Sequence, residues 1–214
     1  MKDQIQIRYT KESTAGSNLS CGGNLSYLDL APGQTILDLG CGRGRETIEA
    51  ALAVGPDGLA VGLDLTAAMI EKAELTAAYT AEVQNGQAHV AFVQGDIEAL
   101  PFADETFDAV ISNCVINHAR NKQQVYREIY RVLKCRGYFI VSDACTREPL
   151  PESVTSDPQA WADCFGGAIP RESYLDSIAA AGFPDLEILK SREYVKNGYD
   201  FISLTIRGTK PQIL

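Results

Sequence analysis

The stretch ILDLGCGRGRE, from Ile36 to Glu46, decides the fold. Ile36, Leu37 and Leu39 are apolar with Asp38 among them, the pattern of a buried strand that carries a carboxylate near its end. Gly40, Gly42 and Gly44 then alternate with Cys41 and Arg43 before a helical pattern begins. Glycines at this spacing let the backbone turn tightly and bring its N–H groups up to a ligand at a helix start. The next apolar run, LAVGLD, closes on Asp64. In a strand–helix–strand unit, an acid about 20 residues past the glycines reaches the hydroxyls of a ribose.

The glycine spacing also selects the ligand. The dinucleotide fingerprint G-x-G-x-x-G opens room for a pyrophosphate. This chain has G-x-G-x-G with Asp38 just ahead, and a carboxylate there repels phosphate but welcomes an ammonium. A ribose joined to an amino-acid end, without phosphate, describes S-adenosylmethionine. The segment resembles motif I of the class I methyltransferases, and the resemblance implies cofactor contacts at Asp38, Gly40, Gly42 and Asp64. Leu65 and Met69 are candidates for apolar contact with an adenine ring, and as core residues they would look the same. HVAFVQGD reads as a third strand ending at Asp96. VQGDIEALPF resembles the methyltransferase segment that meets adenine, which carries Asp96 and Ile97 over as contacts; Asn113 is carried over in the same way.

The remaining chain supplies the rest of a sheet. Ile48, Ala51 and Leu52 give a first helix its buried stripe, broken at Gly55-Pro56-Asp57-Gly58. Thr66 can cap a second helix with Met69, Ile70, Ala73 and Ala77 on its apolar face. FDAVISNC is a fourth strand. Asn121 caps the next helix with Gln124 at capping-box spacing, and Val125, Ile129, Val132 and Leu133 share one face. Gly137 then turns the chain into YFIVSD, a fifth strand. Residues 145–170 are irregular, with a helical piece around 159–165, and a last helix runs from about Arg171 to Ala181 before Gly182. Alternating runs at 186–190 and 201–206 suit an antiparallel hairpin. The expected architecture is an α/β, doubly wound, Rossmann-like and mostly parallel sheet closed by that hairpin. Residues 1–34 form an N-terminal arm, a short helix or flexible segment followed by loop. Residues 35–214 form the methyltransferase domain, with a substrate-facing insertion at about 145–170.

Composition bounds the partners. With 214 residues the chain fits one domain, and its net charge of −9 argues against nucleic acid or an anionic membrane surface. No apolar run approaches the ~20 residues of a spanning helix, and MKDQIQIRYTKEST lacks the apolar middle of a signal peptide, so the cytoplasm is the expected compartment. Six cysteines are scattered without a Cys-x-x-Cys pair, so no resident metal is expected.

Those cysteines point to the acceptor. Ligands in open α/β sheets sit outside the C-terminal ends of the strands. Cys114 ends the fourth strand, Cys164 lies in the insertion, and Cys21 is just upstream of the first strand, so all three can reach one mouth. A soft, thiophilic substrate would explain them. SNCVINHARNKQQVYREIYRVLK and WADCFGGAIPRESYLDSIAAAGF resemble segments of arsenite methyltransferases. That resemblance implies Cys114 and Cys164 as arsenic-binding thiolates, and the shorter SCGG implies Cys21 as a third. It also implies a thiol reductant such as thioredoxin or glutathione. Cys41, Cys135 and Cys145 are expected to be small core residues. His118 stands where an apolar residue is usual, and Lys134-Cys135-Arg136-Gly137 replaces a Lys-Pro-Gly-Gly turn. Two other functions suit the same scaffold: methylation of a small organic acceptor of the ubiquinone-biosynthesis type, and a thiol-based arsenic sensor without turnover.

Overall fold

The computed structural model describes residues 1–14, 23–83 and 88–212. Cys21 lies outside them. A seven-stranded sheet runs in the order β3-β2-β1-β4-β5-β7-β6. Its strands are β1 (Thr35–Leu39), β2 (Leu59–Asp64), β3 (Val90–Gln94), β4 (Phe107–Asn113), β5 (Leu133–Thr146), β6 (Leu186–Lys196) and β7 (Tyr199–Thr209). The first five pair in parallel. β7 inserts antiparallel between β5 and β6. Helices α1 (Lys2–Thr14), α2 (Arg45–Val54), α3 (Ala67–Val83), α4 (Lys122–Val132), α5 (Glu152–Thr155), α6 (Pro158–Ala162) and α7 (Arg171–Ala179) complete the chain. β1 pairs with both β2 and β4, so the strand order reverses beside it. A crevice opens at such a switch point, off the strands' C-terminal ends.

Central strands are buried on both faces and read as apolar runs; β3, at the edge, alternates between half-buried and exposed positions. Phe139 in β5 anchors the larger core, with ring centroids 4.8 Å from Phe183 and 5.5 Å from Tyr126. Phe139 is fully buried, and Phe139→Ala is expected to cost about 3–5 kcal/mol in denaturant unfolding, since the cavity left can only partly collapse.

Several boundaries differ from the sequence reading. The hairpin strands are longer than the alternating runs. They meet at Asn197-Gly198, where both residues have positive φ (53° and 79°), as a two-residue turn matched to strand twist requires. Leu133 opens β5 instead of closing α4, and it stays buried because β5 pairs there with Phe107. Leu52 is exposed: the buried stripe of α2 follows Thr47, Ile48, Ala50, Ala51 and Val54. Cys135 is also exposed, beside the positive-φ turn at Arg136 (φ 65°), whereas Cys41 and Cys145 are buried as expected. The N-terminal segment is a defined helix that packs on α3 and α6. No helix among the described residues is long and apolar enough to cross a membrane.

Candidate active site

The glycine loop is tied to the end of β2. The N–H groups of Gly40 and Cys41 both donate to the Leu63 carbonyl, at 2.7 and 3.0 Å. Asp64 accepts from the Gly42 N–H at 3.0 Å through one oxygen and from the Thr66 N–H at 2.8 Å through the other. Its carboxylate thus fixes the loop and the start of α3 together, and each oxygen keeps a lone pair for a ligand hydroxyl. Burial raises the Asp64 pKa, and these two N–H groups oppose the rise. At Gly40, with φ 72°, an added Cβ would lie 2.2 Å from the Val115 side chain. That glycine lets the segment after β4 close directly against the loop.

A cavity of about 340 Å³ lies against this loop, walled by Gly40, Gly42, Asp64, Leu65, Asp96 and Ile97. Asn113, Cys114, His118 and Cys164 also line it, as do Lys2, Ile5, Arg8 and Tyr9 from α1. The wall has the parts a nucleoside with an amino-acid tail needs. An open backbone stands at Gly42, where a Cβ would meet nothing within 4 Å; carboxylates stand at the ends of β2 and β3, and Leu65 and Ile97 offer apolar surface.

Two residues read from the sequence as cofactor contacts do not reach this wall. Asp38 is buried behind the loop and accepts a 2.6 Å hydrogen bond from the Thr47 hydroxyl. Burial pushes its pKa up to about 7, with Glu46 and Asp64 adding to the rise. Met69 is fully buried in α3. A central strand buried on both faces gives Asp38 no exposed side, and Met69 serves the helix's packed side.

Cys114 and Cys164, 50 residues apart in sequence, meet. The Cys164 Sγ donates to the Cys114 carbonyl at 2.7 Å. Both residues have positive φ, 56° and 64°, a costly conformation for a side chain with a Cβ. Cys114 is held by its N–H donating to the Ser142 carbonyl at 2.8 Å, and Cys164 by its N–H donating to Trp161 at 3.1 Å. The glycines after Cys164 explain how the two turns approach. A Cβ on Gly167 would lie 2.0 Å from the Asn117 carbonyl oxygen, so only a glycine allows that contact. Beneath the Cys114 turn, Asp143 accepts from the Asn117 N–H at 3.0 Å, and Asn117 Nδ2 donates to the Ala144 carbonyl at 2.7 Å. Burial raises the Asp143 pKa to about 6, opposed by the Ala144 N–H and by buried Lys122.

The contacts of α1 went unread in the sequence. Lys2 pairs with Asp96, and with Glu98 at 3.1 Å. Gln6 donates to the Leu65 carbonyl at 3.2 Å. Arg8 donates to the Ala162 carbonyl and pairs with Asp163 at 3.1 Å. Tyr9 OH lies 3.1 Å from His118 Nε2. Lys196, at the end of β6, donates to the Asp163 carbonyl at 3.0 Å and also lines the cavity. The first 14 residues carry little apolar periodicity, so nothing in the sequence signalled these contacts.

A glycine-loop crevice on a sheet of this strand order defines a methyltransferase domain of the S-adenosylmethionine-dependent class I. A family model described as a methyltransferase domain matches residues 30–198, and the chain belongs to that family. Within it the similarity runs to arsenite methyltransferases. The one from Halobacterium salinarum is 38% identical over 207 residues, covering 92% of this chain and 52% of that protein. The human one is 43% identical over 138 residues, covering 63% of this chain and 37% of that protein. The chain thus spans about half or less of the length of these relatives. An arsenic(III) S-adenosylmethionine methyltransferase from Chlamydomonas reinhardtii superposes with a TM-score of 0.79 at 31% identity, over 97% of this chain and 74% of that one.

Proposed function

We propose that the protein transfers methyl groups from S-adenosylmethionine to trivalent arsenic held by Cys114 and Cys164. The observation that carries this reading is the meeting of two cysteine turns, each at positive φ, on the wall of the donor cavity. Strain of that kind persists where the surrounding structure enforces it, commonly at functional sites.

In this reading Asp64 takes the donor's ribose, while Leu65 and Ile97 flank its adenine and Asp96 meets the edge. Gly40, Gly42 and Asn113 line the amino-acid end, and Asp38 braces the start of α2 behind the loop by accepting from the Thr47 hydroxyl. The donor supplies an electrophilic methyl on a sulfonium. Two thiols displace two hydroxides of arsenite, their protons leaving as water, and the arsenic is left with two As–S bonds, one hydroxide and its lone pair. That lone pair forms the As–C bond as the methyl–sulfur bond breaks, and the bonding pair leaves with the donor sulfur. No general base is needed, because the nucleophile carries no proton. Holding the two reacting atoms in near-attack geometry is the protein's main contribution. Arsenic becomes pentavalent in the step, and two electrons from a thiol reductant such as thioredoxin or glutathione return it to the trivalent state. That chemistry requires reduced thiols, which suits the cytoplasm. Cys21 is a candidate third sulfur. Helix α1 acts as the site's cover and residues 35–214 as the transfer domain.

Incubation with arsenite, a thiol and isotopically labelled donor tests the reading by mass spectrometry. Labelled methylarsenic species are expected. Label transferred only to a small organic acceptor, or a donor bound but never consumed, would overturn it.

A further inference from the structure

His118 is the point at which three segments of the site meet. It closes the 3-10 turn Ile116–His118, four residues beyond Cys114. Its Nε2 faces the Tyr9 hydroxyl at 3.1 Å, and the two rings meet edge to face with centroids 5.6 Å apart. Nδ1 is buried and makes no hydrogen bond of good geometry; the Trp161 backbone nonetheless lies close enough to favour a proton on the ring. Trp161 is three residues before Cys164. Arg8, next to Tyr9, binds the same α6 segment through the Ala162 carbonyl and Asp163. The imidazole therefore touches α1 and stands between the turn of Cys114 and the turn of Cys164.

Its ionisation suits an accepting role. Burial pushes the His118 pKa down to about 4, the Trp161 backbone opposes the shift, and the cations of Arg8 and Lys122 reinforce it. At neutral pH the ring is uncharged, with one nitrogen carrying a lone pair. Burial raises the Tyr9 hydroxyl, and Cys164 adds to the rise, so that group keeps its proton and donates it. In the tautomer that carries its proton on Nδ1, facing the α6 backbone, Tyr9 Oη donates and His118 Nε2 accepts.

We propose that His118 is a positioning residue for arsenic capture: by accepting the Tyr9 hydroxyl it sets the spacing of the Cys114 and Cys164 turns. The inference rests on the reading that these two thiols hold As(III). An apolar residue at 118 would fill space but leave the buried Tyr9 hydroxyl without its acceptor, and the α1 cover would then settle differently over the two turns. The donor's ribose and adenine are assigned to Asp64, Leu65 and Ile97 of the cavity lining, not to His118.

The test uses the full chain and three variants: His118→Leu, His118→Gln, whose carbonyl can still accept from Tyr9, and Tyr9→Phe, which removes the other end of the bond. Trp161 is the only tryptophan, in the segment that carries Cys164, so its fluorescence reports As(III) titration without requiring turnover. His118→Leu and Tyr9→Phe are each expected to weaken As(III) binding, and to raise KM for arsenite, by about tenfold, the loss of one buried hydrogen bond. The change in kcat at saturation should stay within about twofold and donor affinity by calorimetry should hold, as expected of lost uniform binding. His118→Gln should recover most of the loss, and His118→Leu combined with Tyr9→Phe should be no worse than either alone. As(III) affinity unchanged in both single variants would overturn the inference, as would a parallel fall in donor affinity. If His118→Leu fails to fold, Tyr9→Phe decides alone. A wild-type protein that captures As(III) without methylating it would end the proposed function and leave this inference to be judged by fluorescence. One that captures no As(III) would end both.

Discussion

Cys114→Ser and Cys164→Ser are each expected to lower arsenite methylation by on the order of 100-fold or more, with donor affinity unchanged, because a hydroxyl is a poor ligand for a soft centre. Serine is the informative replacement. It keeps a small side chain at the two positive-φ positions, and a hydroxyl at 164 can still donate to the Cys114 carbonyl as the thiol does at 2.7 Å. The two turns should therefore stay where they are, and only the affinity for arsenic should change. Cys135→Ser is the matched control: that thiol is exposed at the turn before Gly137, away from the cavity wall, and activity should be retained. Mass spectrometry of the arsenic products and calorimetry of donor binding make the measurement. Either single cysteine variant retaining activity within about tenfold of wild type would remove the thiol pair from the mechanism.

The parts of this site that the sequence disclosed are those fixed by short-range geometry. A strand, three alternating glycines and a following acid leave little freedom, so β1, the loop and the place of Asp64 at the end of β2 stand where they were read. The same local logic placed Cys114 at a strand end and, by resemblance, paired it with Cys164. What local pattern could not convey is how the two turns approach: the contact of Gly167 with the Asn117 carbonyl joins segments 50 residues apart, and nothing in either segment alone announces it. Asp38 illustrates the opposite limit. Its place beside the glycine loop was legible, but the side of the strand it faces depends on packing against Thr47 of α2. The cover formed by α1 was least legible of all. Its residues are polar, its contacts are ion pairs and single hydrogen bonds to distant backbone, and such contacts leave no periodic trace. His118 was visible only as a departure from the apolar residue usual at that place in the resembled family; its meaning came from Tyr9, 109 residues away.

Asp64→Ala is expected to weaken donor binding by about 100-fold, since two hydrogen bonds from ligand hydroxyls to a carboxylate are worth roughly 1.5–3 kcal/mol each before losses elsewhere. The loss has a second origin in the free protein. The Gly42 and Thr66 N–H groups, now bonded at 3.0 and 2.8 Å, would be left without their acceptor, and the glycine loop would keep only the backbone bonds of Gly40 and Cys41 to Leu63 as its tie to β2. Asp64→Asn separates the two effects poorly, because an amide has only one accepting atom and would set an N–H₂ against one of these donors. A deficit close to that of alanine is therefore expected from a substitution that exchanges a single heavy atom. Calorimetry with the donor makes the measurement, and the tryptophan titration with As(III) is the control that should stay near wild type, since the thiol turns hang on β4, β5 and α6. Donor affinity within about fivefold of wild type in Asp64→Ala would mean that the ribose is held elsewhere on the wall, and that this carboxylate serves only to brace the loop.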